Sequence, residues 1–298
     1  MILAAGEALM DLVPQGAAYL PRPGGAPLNV AVTLGRLGVR AGFLGGLARD
    51  AFGRRIQQHL EASRVDLGYA VKTDQPTPLA FVTLEDGEPR YAFYLEGTAL
   101  MLERLPRLGP EVHAVVLGGL ALAWEPVQAV FAGLLEAGRF VALDPNVRPA
   151  AIRDPARYRE RFAAWVPRVD LLKVSAADLA WFFPNTPPQA AARRLQEAGA
   201  RVVVLTLGAR GAVAFLPEGE VRVAAPRVKV VDPVGAGDAF LGGLLAFWDQ
   251  AGLLDRPFAP GVEATREALA FAARVAALTC TRPGADPPWG SALEHFSP

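Results

Sequence analysis

Asp232-Pro233-Val234-Gly235-Ala236-Gly237-Asp238-Ala239-Phe240 is the stretch on which the fold turns. It follows a β-like run, Val228–Val231, and leads into Phe240, Leu241, Leu244, Leu245 and Trp248, which recur at helical spacing. A helix is therefore predicted to start near Gly235 or Ala236. Small residues at that point let successive backbone N–H groups converge, and the helix N-terminus adds partial positive charge. The product is an anion site with the carboxylate of Asp238 fixed in its first turn. An acid beside an anion hole suits a base that deprotonates a hydroxyl while amides hold developing negative charge. The structural alternative is an acid that serves only its own helix dipole.

A second segment has a related design. Pro23-Gly24-Gly25-Ala26-Pro27-Leu28-Asn29 continues through Ala31 and Leu34 to Gly35-Arg36-Leu37-Gly38, a glycine-rich loop running into a helix with one Asn a turn inside it. Together the two motifs resemble the ribokinase-like (PfkB) family of carbohydrate kinases, in the family's order and over essentially the whole chain. The resemblance implies an α/β fold, a three-layer α/β/α sandwich with a mainly parallel central sheet and a small β-sheet lid. It also implies that the Pro23–Gly38 motif lines a sugar site. Asp238 would then be the catalytic base, with the N–H groups of Gly235, Ala236 and Gly237 holding the transferring phosphoryl.

Composition narrows the classes. A chain of 298 residues can bury a large core, as one domain with an elaboration or as two. A formal net charge of +0 with no basic run leaves no footprint for nucleic acid or an anionic membrane. Apolar runs such as Val202–Leu205 are too short to span a bilayer, and Met1–Glu7 reads as a first strand rather than a signal peptide. Cys280 is the only cysteine, so an internal disulfide and a multi-cysteine zinc site are excluded. A cytoplasmic location is expected.

From about residue 110, apolar runs alternate with helix-like segments: Ala114–Leu117, Phe140–Leu143, Leu171–Val174 and Val202–Leu205, separated by segments such as Pro126–Glu136 and Gln189–Ala198. That alternation predicts a parallel sheet buried on both faces. Residues 69–94 read differently. Ala70–Thr73, Leu79–Leu84 and Arg90–Tyr94 are β-rich, and Glu85-Asp86-Gly87-Glu88 reads as a hairpin turn. An antiparallel flap is expected, matching the family's lid, with about 69–98 and part of 11–22 forming it within a single kinase domain spanning 1–298. The resemblance adds a homodimer contact through that lid.

Ligands of open parallel sheets sit at the carboxyl ends of the strands, and polar residues fall there repeatedly. The resemblance gives Asp11, Gly24, Gly25 and Asn29 to the sugar, with Tyr91 or Tyr94 from the lid and Arg148 from Asp144-Pro145-Asn146-Val147-Arg148. As loop residues, Asp11 and Arg148 have structural alternatives. An amide such as Asn29 among apolar helix residues needs a partner, backbone or ligand. Lys173-Val174-Ser175-Ala176-Ala177-Asp178 aligns with the family's K-x-N-x-x-E segment, so the resemblance assigns Lys173 and Ser175 to ATP and Asp178 to Mg²⁺ through water. Ser175 and Asp178 depart from that pattern and equally suit a helix cap and first-turn acid. Thr206, Gly208 and Gly211 resemble the segment that cradles nucleotide phosphate and ribose. Asp232, Val234 and Gly284 resemble a monovalent-cation site, for K⁺. No Gly-x-x-x-x-Gly-Lys-Ser/Thr loop is present, which excludes P-loop chemistry. The expected function is ATP-dependent phosphorylation of a small carbohydrate, with fructose first. 2-Keto-3-deoxygluconate, another sugar or nucleoside, and a non-catalytic sugar-binding regulator are the alternatives. Leu95, where acid-sugar kinases tend to carry Arg after the lid Tyr, favours a neutral sugar.

Overall fold

In a computed structural model of the protein, which describes residues 1–85 and 88–296, the apolar runs form one eight-stranded sheet. Its strands are β1 (Ile2–Ala5), β4 (Ala41–Leu44), β9 (Ala114–Gly118), β10 (Phe140–Asp144), β11 (Leu171–Ser175), β12 (Val202–Thr206), β13 (Ala212–Leu216) and β14 (Gly219–Val223). They lie in the order β14-β13-β12-β11-β10-β9-β1-β4. Pairing is parallel from β4 to β12 and antiparallel across β12–β13–β14.

Alternation along the strands divides the core in two. Ile2, Ala4, Val116, Ala142 and Val204 face helices α1 (Ala26–Arg36), α2 (Ala51–Ala62), α8 (Ala236–Gln250) and α9 (Val262–Cys280). Leu3, Val115, Val141, Leu172 and Val203 face α3 (Leu120–Ala123), α4 (Val127–Ala132), α5 (Pro155–Trp165), α6 (Ala176–Phe182) and α7 (Pro188–Glu197). Both faces of the sheet are thus buried, which is why its strands other than the edge strand β14 carry no polar alternation. A short helix, α10 (Gly290–Glu294), is the last element among the described residues.

A second sheet stands beside the first, in the order β3-β2-β7-β8, from β2 (Leu9–Gln15), β3 (Ala18–Gly24), β7 (Leu79–Glu85) and β8 (Glu88–Tyr94). It takes in residues 9–24 as two full strands, more of the N-terminal region than expected. Asp86 and Gly87 of the expected hairpin turn lie outside the described residues.

Two expectations are corrected. Val71–Thr73 (β6) does not join the flap. It pairs in parallel with Gly46–Ala48 (β5), because the intervening α2 makes a crossover connection that returns the chain in the same direction. Val228–Val231 is not a strand. Pro226 has no N–H to extend a ladder beyond β14, and Val230 and Val231 are 58% and 56% exposed. The Val231 N–H donates to the Cys280 carbonyl instead.

Candidate active site

Helices α1 and α8 cross so closely that a Cβ on Gly242 would meet Thr33 Cβ at 2.6 Å. One turn earlier on each helix stand Asn29 and Asp238, and the crossing brings them together. Asn29 Nδ2 donates to Asp238 Oδ2 at 2.8 Å. The partner of the buried amide is therefore neither backbone nor ligand alone but the expected base. Asp238 Oδ1 accepts from Asn146 Nδ2 at 3.4 Å. Burial raises the pKa of Asp238, against the bond from Asn29 and the charges of Lys173 and Arg148, which lower it.

The turn before α8 is built as the sequence implies. Gly235 has φ 77° and ψ −3°, a left-handed conformation that suits glycine, and a Cβ there would meet Ala285 Cβ at 2.4 Å. Gly237 follows in the first helical turn, where an N–H has no intrahelical acceptor. The Ala236 N–H already donates to the Pro233 carbonyl at 3.2 Å, which sets it apart from its neighbours in the expected anion hole.

Three hollows run together around this turn. The first, about 320 Å³, is lined by Glu7, Leu9, Asp11, Gly25, Asn29, Tyr91, Phe93, Asn146, Arg148 and Asp238. The second, about 530 Å³, is lined by Asn146, Arg148, Lys173, Ser175, Asp178, Thr206 and Gly208. The third, about 450 Å³, is mostly apolar, with Ala225, Val228, Phe240, Ala273, Ala276, Ala277 and Cys280 beside Gly208 and Gly211. Gly237 lines all three and is their junction. The arrangement can hold a polar molecule in the first hollow, phosphates in the second and a flat apolar group in the third, with Asp238 in the first hollow next to the Gly237 junction.

Acids dominate the first hollow. Asp11 lies in strand β2 rather than in a loop, and Gly24 across the hairpin leaves room for it; a Cβ on Gly24 would fall 2.0 Å from Asp11 Oδ2. Gly24 thus shapes the site from beneath and is not among the lining residues. Burial pushes the Asp11 carboxyl up to about 7, partly offset by the Arg148 guanidinium. Arg148 itself donates through Nη1 to the carbonyls of Asn146 (3.3 Å) and Val147 (3.1 Å).

The second sheet contributes Tyr91 and Phe93, stacked at 5.8 Å with rings 5° from parallel. Tyr94, on the opposite face of the strand, points away from the hollow. It is 60% exposed and packs edge-on to Phe81, which also meets Tyr19. Leu95 is buried in the core beneath α3–α7 and does not line the first hollow, so its side chain does not select between a neutral and an acidic sugar.

On the phosphate side, Lys173 Nζ donates to Asp144 Oδ2 at 2.7 Å, with both side chains buried. Desolvation disfavours the Lys173 charge, yet Asp144, Asp178 and Asp238 outweigh it and raise its pKa. Burial pushes Asp144 up to about 6, with Lys173 opposing, so the two form an ion pair at neutral pH. Ser175 and Asp178 make a capping box at α6. Asp178 Oδ2 accepts from the Ser175 N–H (2.8 Å) and Oγ (2.6 Å), and Oδ1 accepts from the Val147 N–H (2.8 Å). Thr206 ends β12, and Gly208 and Gly211 bound the turn after it at φ 59° and 89°. Asp232 joins two loops, accepting from the Val234 N–H (3.0 Å) and the Gly284 N–H (2.7 Å). Among the described residues, no group of three or more His, Cys, Asp and Glu is placed to hold a metal by itself.

Two residues of the site carry no role assigned from the sequence: Asn146, quoted only within Asp144–Arg148, and Glu7. Asn146 adopts φ 41°. Glu7 is 2% exposed, and its carboxylate accepts from the Ala26 N–H (3.3 Å) and the Ala121 N–H (3.1 Å), joining the starts of α1 and α3. Burial pushes its pKa up to about 7, with those backbone bonds opposing. The signal for Glu7 was one acid between Ala4-Ala5-Gly6 and Ala8-Leu9.

Comparison with known proteins agrees with this layout. Residues 3–291 match the pfkB family carbohydrate kinase domain. The chain is 38% identical to a fructokinase of Rhizobium leguminosarum bv. trifolii over 267 residues, 86% of this chain and 82% of that one. It superposes on a fructokinase of Vibrio cholerae O395, solved with fructose, ADP and calcium ion bound, with a TM-score of 0.88 at 30% identity, covering 99% and 98% of the two chains. A fructokinase of Xylella fastidiosa with bound ATP gives 0.87 at 30% identity, covering 98% and 97%. With a ribokinase-like fold and a cleft centred on the Asp238 turn, this chain belongs to the pfkB family of carbohydrate kinases.

Proposed function

We propose that the protein is an ATP-dependent fructokinase in which Asp238 removes the proton of the acceptor hydroxyl. The observation that carries this reading is Asp238 itself. It is a buried carboxylate, gripped by amides, that lines the polar hollow directly beside Gly237, the residue shared by the polar, phosphate-side and apolar hollows. A raised pKa makes it a stronger base than a free carboxylate, provided it is ionised at working pH. Sugar hydroxyls donate to Asp11 and receive from Arg148, and Tyr91 covers the pocket as part of a lid formed by the four-stranded sheet. The apolar hollow takes the adenine and the turn at Gly208 and Gly211 takes ribose and phosphate. Gly235 and Gly237 N–H groups, with Lys173 nearby, meet the transferring phosphoryl.

The phosphate side suits a hydrated cation rather than a directly ligated one. Both Asp178 oxygens already accept bonds from protein donors, so Asp178 would reach Mg²⁺ through the ion's waters while ATP supplies direct ligands. Bound Mg²⁺ neutralises phosphate charge. A K⁺ site is proposed where Asp232 ties the Val234 and Gly284 loops together, and activity in K⁺ against choline tests it. The exposed Tyr19–Phe81–Tyr94 face supports a homodimer through the lid, to be checked by sedimentation. Among the described residues no helix is long and apolar enough to cross a membrane.

The same hollow argues against an acidic substrate. Glu7, Asp11 and Asp238 face it, with Arg148 as the one cation among the described residues that line it, so a substrate carboxylate would meet three acids. A panel of sugars with ATP and Mg²⁺ tests the reading. Fructose should exceed 2-keto-3-deoxygluconate in kcat/KM by ~10-fold or more, the scale of one charged contact. Faster turnover of the keto acid would overturn the choice of sugar. No turnover of any sugar or nucleoside would leave a binding protein.

A further inference from the structure

We propose that Asn146 is a positioning residue that holds Oδ1 of Asp238 while Asn29 holds Oδ2, fixing the base against the phosphate side of the cleft. The inference rests on the reading of Asp238 as base and adds a residue to it.

Asn146 lines both the sugar hollow and the phosphate hollow. Its backbone, at φ 41°, is left-handed, a region that L-residues other than Asn, Asp and Gly rarely enter. Its surroundings hold it there. The Asn146 N–H donates to Asp144 Oδ1 (3.1 Å), the Val147 N–H to Asp178 Oδ1 (2.8 Å), and Arg148 Nη1 to the Asn146 carbonyl (3.3 Å). An uncommon conformation kept in place by this many bonds points to a use for the side chain. That side chain reaches Asp238 Oδ1 at 3.4 Å, a long contact of the kind that tightens when substrate arrives.

One amide on each oxygen fixes the carboxylate plane, which a single donor would leave free to pivot about its bond. Asp144 extends the arrangement. Its Oδ1 receives the Asn146 N–H, and its Oδ2 receives Lys173 Nζ, which lies 3.0 Å from where a Cβ on Gly237 would stand. A polar chain therefore runs Lys173–Asp144–Asn146–Asp238–Asn29, from beneath the phosphate turn to the base. Residue type matters at its centre. Glycine would keep the backbone and lose the donor, while aspartate would keep the shape and add a repelling charge.

The test is kinetic, on full-length Asn146→Gly, which removes the amide without imposing strain. Losing a donor to the ionised form raises the Asp238 pKa. The acidic limb of the kcat–pH profile should then move to higher pH, with kcat ~10-fold lower, the scale of one hydrogen bond to a charged group. ATP KM should stay within twofold. Asn146→Asp should move the same limb further, and Asn146→Gly should cost nothing more in an Asp238→Asn background. An unshifted limb overturns the proposal, whether kcat is unchanged or falls together with thermal stability as for a simple loop brace. Asp238→Asn alone separates the two readings. Turnover retained there sinks the base. Turnover lost there, with Asn146→Gly unshifted, sinks only Asn146.

Discussion

The two ends of the cleft solve recognition in opposite ways. At the end we assign to the sugar, buried acids are packed with single-purpose partners: Glu7 with two backbone N–H groups, Asp238 with two amides, Asp11 near Arg148. At the far end the walls are Ala225, Val228, Ala273, Ala276 and Ala277, with small residues supplying shape. The contrast follows from what each ligand offers. A sugar is all hydroxyls, and fixed acceptors read their positions, whereas an adenine ring is a flat apolar plate that needs a slot. Errors at the first end should thus be chemical and large, and errors at the second steric and modest.

The strongest attempt to break this contrast is Asp238→Asn, which should lower kcat by at least ~10²-fold while both KM values change little. Steady-state kinetics decide it, and a variant with more than a tenth of wild-type turnover removes Asp238 from the chemistry. Next comes Asp11→Ala. Sugar KM should rise ~10- to 100-fold and ATP KM should not, because the lost acceptor serves one ligand only. Equal effects on the two substrates would erase the division of labour. At the apolar end, Ala277→Phe should fill the slot. ATP KM should rise ~10-fold, the scale of a 1–3 kcal/mol overpacking, with sugar KM constant.

The smallest effect concerns pH. Glu7 has a pKa of about 7 in the folded chain against 4.5 for a free carboxyl. The folded state therefore holds that proton more tightly. The associated stability is fully present below 4.5 and is lost as pH rises through about 7. Glu7→Gln has no such titration. The melting temperature of wild type relative to Glu7→Gln should fall across that window by on the order of 5 °C. A flat difference would mean that Glu7 is better solvated than its burial implies.

The parallel sheet and the Asp238 turn were readable in the sequence because each leaves a local trace: unbroken apolar strands, and small residues before an amphipathic helix. Gly235 even announces its left-handed backbone by its type. What could not be read was set by distant partners. Val228–Val231 reads as a strand, but Pro226 interrupts the chain after the edge strand β14 and the Val231 N–H goes to the Cys280 carbonyl. Tyr91 and Tyr94 look alike in sequence, yet strand alternation turns one inward and the other to solvent, and only the pairing of β8 with β7 decides which. Leu95 follows Tyr94 directly but is swallowed by the core. Asn29 was flagged as an amide in need of a partner; that the partner is Asp238 depends on a helix crossing with no signature in either helix alone.

That crossing carries a consequence for how the molecule comes into being. Asn29 and Asp238 are 209 residues apart, and Thr33 against Gly242 is what lets them touch. Closing so long a loop is entropically among the more costly steps of folding, and it is rewarded only when nearly the whole chain is in place. An amino-terminal fragment released partway through synthesis would contain the glycine loop, Asp11 and Asn29, yet lack the helix that completes their pocket. Sugar affinity is therefore a test of a finished molecule, and sugar present during refolding should stabilise the completed fold by mass action while leaving earlier partial structures unaided.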